Sequence, residues 1–341
     1  MHEELLKSLA ERAGAVDQRG EWPTAQLSEL AEAGELGWFI PEEFGGNPIS
    51  GEESLARYRE LATACLTTSF ILTQRNGACQ RIANSENDWI KSESLADLAS
   101  GRKFATVGIS HLTTSRQHMT RPVVAAEPTA EGFKLSGTVP WVTGAAYATY
   151  VVTGAVLPNR EQILVALPMN APGVSVLPHA RLLSLTASYT APVQLEDVVI
   201  ENRYLLAGPV ENVMSKGKGG GTGSLVTSGL AAGVAYRCLQ LIEREAERRE
   251  DLISTRNAFQ TDYAEVDELL RSENPSAELA RERANSLVLR ISQAALAITK
   301  GAGFVAGHEA ERAVREAMFF LVWSCPQPVV AAALDELVCR Q

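Results

Sequence analysis

Two changes in the spacing of apolar residues divide the chain into three parts. Residues 1–103 place apolar side chains every three to four positions, as in "EELLKSLAERAGAV", and this spacing predicts amphipathic helices. From Phe104 onwards, short β-branched runs alternate with Gly and Pro turns, as in "EGFKLSGTVPWV", and this pattern predicts strands joined by hairpins. Helical spacing returns after residue 212. The order of these parts excludes a βαβ repeat.

The predicted fold class is therefore α+β. We expect an N-terminal helical domain over residues 1–103 and a C-terminal helical bundle over residues 213–341. Between them, residues 104–212 are expected to form an antiparallel β-sandwich or barrel of roughly seven or eight strands. The clearest single helices are predicted over residues 51–74, 256–273, 275–301 and 307–324.

Charge and cysteine usage exclude several classes of function. The 341 residues include 41 acidic and 31 basic side chains, a net charge of −10 with no basic stripe, which argues against nucleic acid and anionic membranes as partners. The sequence contains no run of 18 apolar residues, so no membrane span is predicted. The charged amphipathic start is unlike a signal peptide. The five cysteines have neither metal-ligand nor disulfide spacing. Together these features predict a reduced, cytoplasmic protein without a metal site.

Four phrases, spread in order over nearly the whole chain, resemble those of the acyl-CoA dehydrogenase family of flavoproteins. They are "LGWFIPEEFGG", "FKLSGTVPWVTGAAYATYVVTGA", "VQLEDVVIENRYLLAG" and "GAGFVAGHEAERAVREA". The resemblance implies FAD as cofactor and oxidation of a CH–CH bond in an acyl-CoA or a related small molecule. It also implies an electron-transfer partner and assembly into a homodimer or homotetramer.

Three residues match positions at which this family contacts its flavin. Trp141 and Thr143 match a Trp-x-Thr motif, and Ser110 falls where the family has Thr or Ser after the first strand. The resemblance implies that the indole packs on the isoalloxazine, the Thr hydroxyl bonds near N5 or O4, and Ser110 lies near the pyrimidine edge. A flat ring is suited to a flat apolar wall, and a reduced flavin to a fixed hydrogen-bond partner.

Each of these residues also has an ordinary structural explanation. Trp141 could belong to the core of the β domain, since a buried Trp is common there. Ser110 and Thr143 could be strand-end residues without a ligand. His111 stands where the family often has an acid, and we expect it to be a hydrogen-bonded core or surface histidine rather than a catalytic group.

The catalytic base of the family has no counterpart in this sequence. In most members a Glu after the last helix removes the α-proton of the acyl thioester, which requires a carboxylate within hydrogen-bond reach. Ser324 occupies that position, with Trp323 in place of a Tyr, and a serine is no base without a partner. The alternative position of this Glu corresponds to Gly223 and Ser224, and no acid occurs between Val213 and Leu241. The catalytic residues are therefore unknown at this stage.

Several other features set the chain apart from the family. The two phrases that hold the ADP half of FAD are replaced by "ERREDLISTRNAF" and "LAITKGAGF". The stretch 215–223, "SKGKGGGTG", is expected to be a flexible linker rather than a phosphate-binding loop built on Lys216 and Lys218. Cys325 is expected to be a buried, inert thiol, because no His or Lys stands in the same stretch.

Three functional hypotheses follow from the resemblance and these departures. The first is an FAD-dependent oxidoreductase of acyl-CoA dehydrogenase type. The second is a flavin monooxygenase or reductase of the same fold, which requires no base to remove an α-proton. The third is a homologue without catalysis that serves in binding or assembly.

Overall fold

A computed structural model of the chain describes residues 3–113, 122–215, 225–325 and 327–338.

The N-terminal part is helical. Helix α1 buries Leu5, Leu9 and Ala13, whose spacing of four places them on one face. Two of the other helices begin with an N-cap side chain. Ser50 accepts a hydrogen bond from the Glu53 N–H, and Asn87 accepts one from the Ile90 N–H. The helices are α1 (Glu3–Arg19), α2 (Thr24–Glu32), α3 (Gly51–Ala64), α4 (Leu66–Ala83) and α5 (Asp88–Ala99).

The single helix predicted over residues 51–74 is two helices, and this prediction was wrong in its continuity. Cys65 has an extended backbone (φ −152°, ψ 106°) between α3 and α4. The chain around it is rich in threonine, a β-branched residue that weakens helix propensity. The hydroxyl of Thr68 donates to Gln26 Oε1 at 2.6 Å, which ties the start of α4 to α2.

The central part forms one eight-stranded sheet within the described residues, with the order β6-β7-β3-β2-β4-β5-β8 and β1 beside β4. Most pairings are antiparallel as predicted, but β1 and β2 both run parallel to β4. The sheet is therefore mixed. Its elements are β1 (Ala105–Gly108), α6 (Ser110–Thr113), β2 (Val124–Pro128), β3 (Gly132–Val142), β4 (Tyr150–Val156), β5 (Gln162–Pro168), β6 (Val174–Val176), β7 (Ala191–Glu201) and β8 (Leu205–Val210).

The C-terminal part returns to helices, with two differences from prediction. The last predicted helix ends early, at Phe319, and a turn carries residues 320–324. A further helix that the sequence analysis missed follows this turn. The helices are α7 (Leu225–Ala246), α8 (Ile253–Arg271), α9 (Ala277–Gly303, with non-helical backbone at Lys300), α10 (Glu309–Phe319) and α11 (Gln327–Leu337).

Three buried clusters hold these parts together. One joins α1–α4 to α7–α10, so the N-terminal and C-terminal helices share a core. A second fills the interior of the sheet, and a third lies between the sheet and the helices α4 and α5. Helix α7 is long and apolar enough to cross a membrane, but 78% of its most apolar window is buried, as in a helix of a protein core. The last α-helix before the sheet, α5, ends at Ala99, and the first α-helix after it, α7, begins at Leu225.

Candidate active site

A cavity of about 770 Å³ lies where the three parts of the molecule meet. Helix α4 forms one side of it, and the chain after β1 and the end of β3 form another. The remaining walls come from residues 182–185, the first turn of α7, the end of α10 and the turn after α10. This volume is within the range of small-molecule and cofactor sites. Ser110, Trp141, Thr143 and Ser324, which lie far apart in the sequence, all line it.

We call the wall formed by Ser110, Trp141, Thr143 and Thr190 the sheet wall. The indole of Trp141 is 54% exposed, so it presents a flat apolar ring to the cavity instead of joining the core. Thr143 is buried, with Oγ1 3.2 Å from Oγ1 of Thr190, which lies 2.8 Å from the Ser188 hydroxyl. The Ser110 hydroxyl is buried and has no hydrogen-bond partner among the described residues. An atom of this kind normally meets a ligand or a water.

The turn that follows β3 fixes the position of Trp141 and Thr143. Gly144 has a φ of +65°, a conformation that favours glycine. A Cβ atom there would lie 2.6 Å from the Trp22 ring and 2.9 Å from the Phe104 ring. Trp22 in turn stacks on Tyr147, with ring centroids 4.4 Å apart. The end of β3 is thus held against the loop between α1 and α2.

His111 lies beside Ser110 but does not line the cavity. It is buried, and its Nε2 lies 3.0 Å from the Gly154 carbonyl oxygen, to which it donates. Burial lowers the pKa of His111, so the neutral imidazole is favoured. Its Nδ1 has no partner among the described residues. The geometry agrees with a core histidine and gives it no contact with the cavity.

The opposite wall, which we call the helical wall, is aromatic. Phe319 and Trp323 are stacked with centroids 5.0 Å apart, and Phe70 of α4 meets each of them edge-on at 5.1 Å. Ser324 follows this cluster with a φ of +51° and lines the cavity. Ser324 therefore reaches the cavity beside three aromatic rings, and its side chain carries no carboxylate.

Buried polar groups of α9 hold the turn that carries Ser324. Arg281 is 1% exposed and donates from Nη2 to the Trp323 carbonyl at 2.6 Å, while Asn285 donates to the Phe320 carbonyl at 3.0 Å. These bonds satisfy carbonyls left open at the end of α10. The Cys325 thiol donates to the Phe320 carbonyl at 3.1 Å. Cys325 is only partly buried, in contrast to the buried thiol that the sequence predicts.

The charged side chains among the described lining residues are Arg81 and Arg315, and no Asp, Glu or His is among them. Arg315 forms a bidentate pair with Asp17 and a pair with Glu311, and hydrogen bonds to these carboxylates raise its pKa. Burial lowers the pKa of Arg81 to about 10, so it remains charged at neutral pH. The cavity as described therefore contains no group suited to act as a general base.

Helix α4 contributes a wall of the cavity that was not predicted from the sequence. Thr73, Gln74, Gly77, Gln80 and Arg81 all line the cavity, at helical spacing on one face. The helical spacing of these residues in the sequence of α4 was the available signal.

Four further residues that the sequence singles out cannot be placed in the cavity. Gly223, Ser224, Lys216 and Lys218 lie outside the described residues. Within the part of the chain that is described, no cluster of three or more His, Cys, Asp or Glu could hold a metal ion.

Comparisons with known proteins agree with this architecture. Residues 2–102 match the model of the acyl-CoA dehydrogenase N-terminal domain. A probable acyl-CoA dehydrogenase, YngJ of Bacillus subtilis (strain 168), is 26% identical over 338 residues, covering 91% of this chain and 88% of the relative.

Solved structures show the same fold over the whole length. The glutaryl-coenzyme A dehydrogenase glutaryl-CoA complex is 19% identical with a TM-score of 0.83, covering 100% of this chain and 96% of that one. KijD3 in complex with FMN and dTDP-3-amino-2,3,6-trideoxy-4-keto-3-methyl-D-glucose is 18% identical with a TM-score of 0.74, covering 99% and 92%.

The fold is a three-part α–β–α architecture with a cavity between its parts, and the relatives of similar length are oxidoreductases of the acyl-CoA dehydrogenase type. The match of residues 2–102 to the N-terminal domain and the full-length relatives support an acyl-CoA dehydrogenase family member. The predicted fold class is thereby confirmed, and the predicted family is supported.

Proposed function

We propose that the protein is an FAD-dependent oxidoreductase of acyl-CoA dehydrogenase type whose cavity binds the flavin ring and a thioester substrate. The observation that carries this proposal is the sheet wall. An indole that is 54% exposed and a buried hydroxyl without a described partner both face the same cavity. A core residue would hide the ring, and a buried polar atom is rarely left without a partner. A bound flavin accounts for both.

The residues present fit a flavin as follows. Trp141 would supply the apolar surface for the ring system, and Ser110 would complete its hydrogen bonding with a polar edge of the ligand. Thr143, oriented by Thr190, would hold a second hydroxyl toward the ring. FAD supplies hydride acceptance when bound, and the chain supplies binding, orientation and exclusion of water.

The cavity also has room and polarity for a substrate beside the flavin. The helical wall is apolar and aromatic, which suits the acyl part of a thioester. Helix α4 adds amide, hydroxyl and guanidinium donors. YngJ is named a probable acyl-CoA dehydrogenase, and the related glutaryl-coenzyme A dehydrogenase binds glutaryl-CoA. An acyl-CoA, or a related small thioester, is therefore the substrate that we propose.

One observation favours a second candidate function. No Asp, Glu or His lies among the described lining residues, and Ser324 stands where the family has its base. A flavin monooxygenase or reductase of this fold needs no base to remove an α-proton. KijD3, which shares the fold, binds FMN and a nucleotide-linked sugar. The lining residues therefore suit a flavin reaction that needs no base better than one that begins with removal of an α-proton.

The test is reconstitution with FAD followed by titration with a saturated acyl-CoA. We expect the protein to bind FAD, to turn yellow and to show a perturbed flavin spectrum when butyryl-CoA is added. FAD binding without any spectral response to thioesters would favour the monooxygenase or reductase. A protein that stays colourless in excess FAD would contradict the proposal and support a binding or assembly role without catalysis.

Assembly and an electron-transfer partner are further parts of the proposal. Gly229 and Gly233 of α7 pack closely on α3, since a Cβ on Gly233 would lie 2.8 Å from the Ala62 Cβ. Small residues on α7 thus serve packing within one chain. We propose a homodimer or homotetramer, as is common in the family, located in the cytoplasm and passing electrons to a partner protein. Sedimentation at micromolar concentration should show no monomer.

A further inference from the structure

A thiol and a buried guanidinium meet at the turn between α10 and α11. Cys325 is partly buried there and follows Ser324, but it is not among the described residues that line the cavity. Nη2 of Arg281, on α9, lies 3.6 Å from the Cys325 sulfur, and the thiol donates to the Phe320 carbonyl oxygen at 3.1 Å. The fold thus gives this thiol a basic neighbour from 44 positions away in the sequence.

The guanidinium of Arg281 has donors that the protein does not satisfy. The side chain is 1% exposed, and Nη2 donates to the Trp323 carbonyl at 2.6 Å. Nε and Nη1 are buried and have no hydrogen-bond partner among the described residues. Burial lowers the pKa of Arg281, because it disfavours the charged form. Buried donors and charges are normally paired, so this guanidinium is suited to receive an acceptor that carries negative charge.

Other buried arginines of the chain have found such partners within the protein. Arg237 is paired with Glu316, and Arg75, also 1% exposed, donates to protein oxygens from both Nη atoms. The hydrogen-bond acceptors described for Arg281 are neutral, namely two carbonyl oxygens and the sulfur. The residues outside the described stretches include no Asp or Glu. An anion that formed on the sulfur would therefore supply what this site lacks.

We propose that Cys325 is a site of oxidation by hydrogen peroxide, at which Arg281 binds the oxidised sulfur as an anion. The O–O bond of the peroxide breaks, one oxygen bonds to the sulfur, and the other leaves as water with the thiol proton. Two electrons pass from the sulfur to the peroxide. The sulfenic acid then releases its proton to solvent, and its oxygen accepts hydrogen bonds from the guanidinium. Partial exposure beside a positive charge is typical of cysteines that react in this way.

Oxidation would change the hydrogen bonds of the turn that carries Ser324. A sulfenate has no S–H, so the bond to the Phe320 carbonyl is lost, although this carbonyl still accepts from Asn285 at 3.0 Å. The new oxygen also competes for the guanidinium that holds the Trp323 carbonyl. The modification thus lies where it alters a wall of the cavity without contacting a ligand in it, and it does not depend on the proposed function.

The first experiment compares the thiols of one chain under the same oxidant. The variant Cys339→Ser is treated with hydrogen peroxide and dimedone, which traps sulfenic acids, and the adducts are located by peptide mass spectrometry. Cys65, Cys79 and Cys238 are buried, and burial raises the pKa of Cys79 and of Cys238. We expect Cys325 to be labelled at least about tenfold faster than any of them. Labelling no faster than that of the buried thiols would overturn the proposal.

A second pair of variants tests the part played by the guanidinium. Arg281→Gln should slow the labelling of Cys325 about tenfold or more, as expected for the loss of one charge-assisted hydrogen bond. Arg283→Gln, which removes an exposed arginine of the same helix, should leave the rate unchanged. Equal rates in both variants and the parent would show that exposure alone governs the reaction, and would remove Arg281 from the site.

A permanent anion at position 325 tests the same geometry without an oxidant. Cys325→Asp places a carboxylate beside Arg281, and Cys325→Asn is its neutral control of similar size. We expect the Asp variant to have a Tm equal to or above that of the Asn variant, because the guanidinium is available as a partner. Arg281→Gln should reverse this order, since the carboxylate then lacks a partner. An Asp variant that melts below the Asn variant while Arg281 is present would contradict the proposal.

Discussion

The sheet wall and the helical wall of the cavity are built in opposite ways. On the sheet wall, Trp141 is open and the Ser110 hydroxyl has no described partner, so the wall presents unused contacts. On the helical wall, Phe319 and Trp323 stack on each other, and buried Arg281 fixes the turn before Ser324. The first wall is suited to receive a flat ligand. The second is filled by its own side chains, and the described residues that line it carry no carboxylate.

The largest effect should come from the buried ion pair behind the helical wall. Glu316 of α10 accepts from Arg237 of α7, and both side chains are less than 10% exposed. Glu316→Gln leaves the Arg237 charge without its partner, which typically costs about 3–5 kcal/mol. We expect the free energy of unfolding, measured by denaturant titration, to fall by that amount.

The exposed pair between Arg244 and Glu309 on the same two helices provides the control. Glu309→Gln should cost less than about 1 kcal/mol, because exposed pairs are weak. Similar losses in the two variants would show that the pair behind the wall is not what holds α10 in place.

On the sheet wall, Trp141→Ala should weaken FAD binding without a comparable loss of stability. Loss of an aromatic contact with the ring is expected to cost about 1–3 kcal/mol of binding free energy. The flavin absorbance should also shift, since the ring loses its apolar neighbour. Trp89→Ala is the matched control, because Trp89 is 37% exposed and packs on Tyr204 away from the cavity. Unchanged FAD affinity in Trp141→Ala would remove Trp141 from the site.

A smaller effect is expected from the hydroxyl beside that ring. Thr143→Val keeps the shape of the side chain and removes one hydrogen bond, which is worth about 0.5–1.5 kcal/mol. The FAD dissociation constant should therefore rise several-fold at most. Thr138→Val removes a hydroxyl on the same strand, bonded to Gln194 at 2.6 Å, and should leave FAD binding unchanged. An equal response in both variants would attribute the effect to β3 rather than to the ligand.

Sequence spacing predicted the three-part fold, because periods of two and of three to four residues report which faces are buried. It did not predict the break at Cys65 or the helix α11. The first depends on a hydrogen bond between Thr68 and Gln26, 42 positions apart. The second, Gln327–Leu337, begins beside two prolines that read as a turn, although a proline is tolerated in the first turn of a helix.

Site residues could be predicted from the sequence only where they belong to short phrases that resemble those of the family. Trp141, Thr143, Ser110 and Ser324 were named from the sequence and line one cavity. Arg81 was not, since a single arginine in a helix shows its burial only once α4 is packed on β1. The anchoring of the Ser324 turn by Arg281 likewise depends on a contact across 42 residues.

We propose that the cavity retains a flavin wall but that its described lining residues lack the base. The most direct test is anaerobic flavin bleaching by butyryl-CoA in FAD-loaded wild type, Ser324→Glu and Ser324→Gln. A missing general base costs roughly 10²–10⁴ in rate, so the wild type and the Gln variant should bleach slowly and the Glu variant faster by a factor within that range. The Gln variant matches the Glu side chain in size and differs in charge. Rapid bleaching by the wild type would contradict the account, because it would require a base within reach of the thioester.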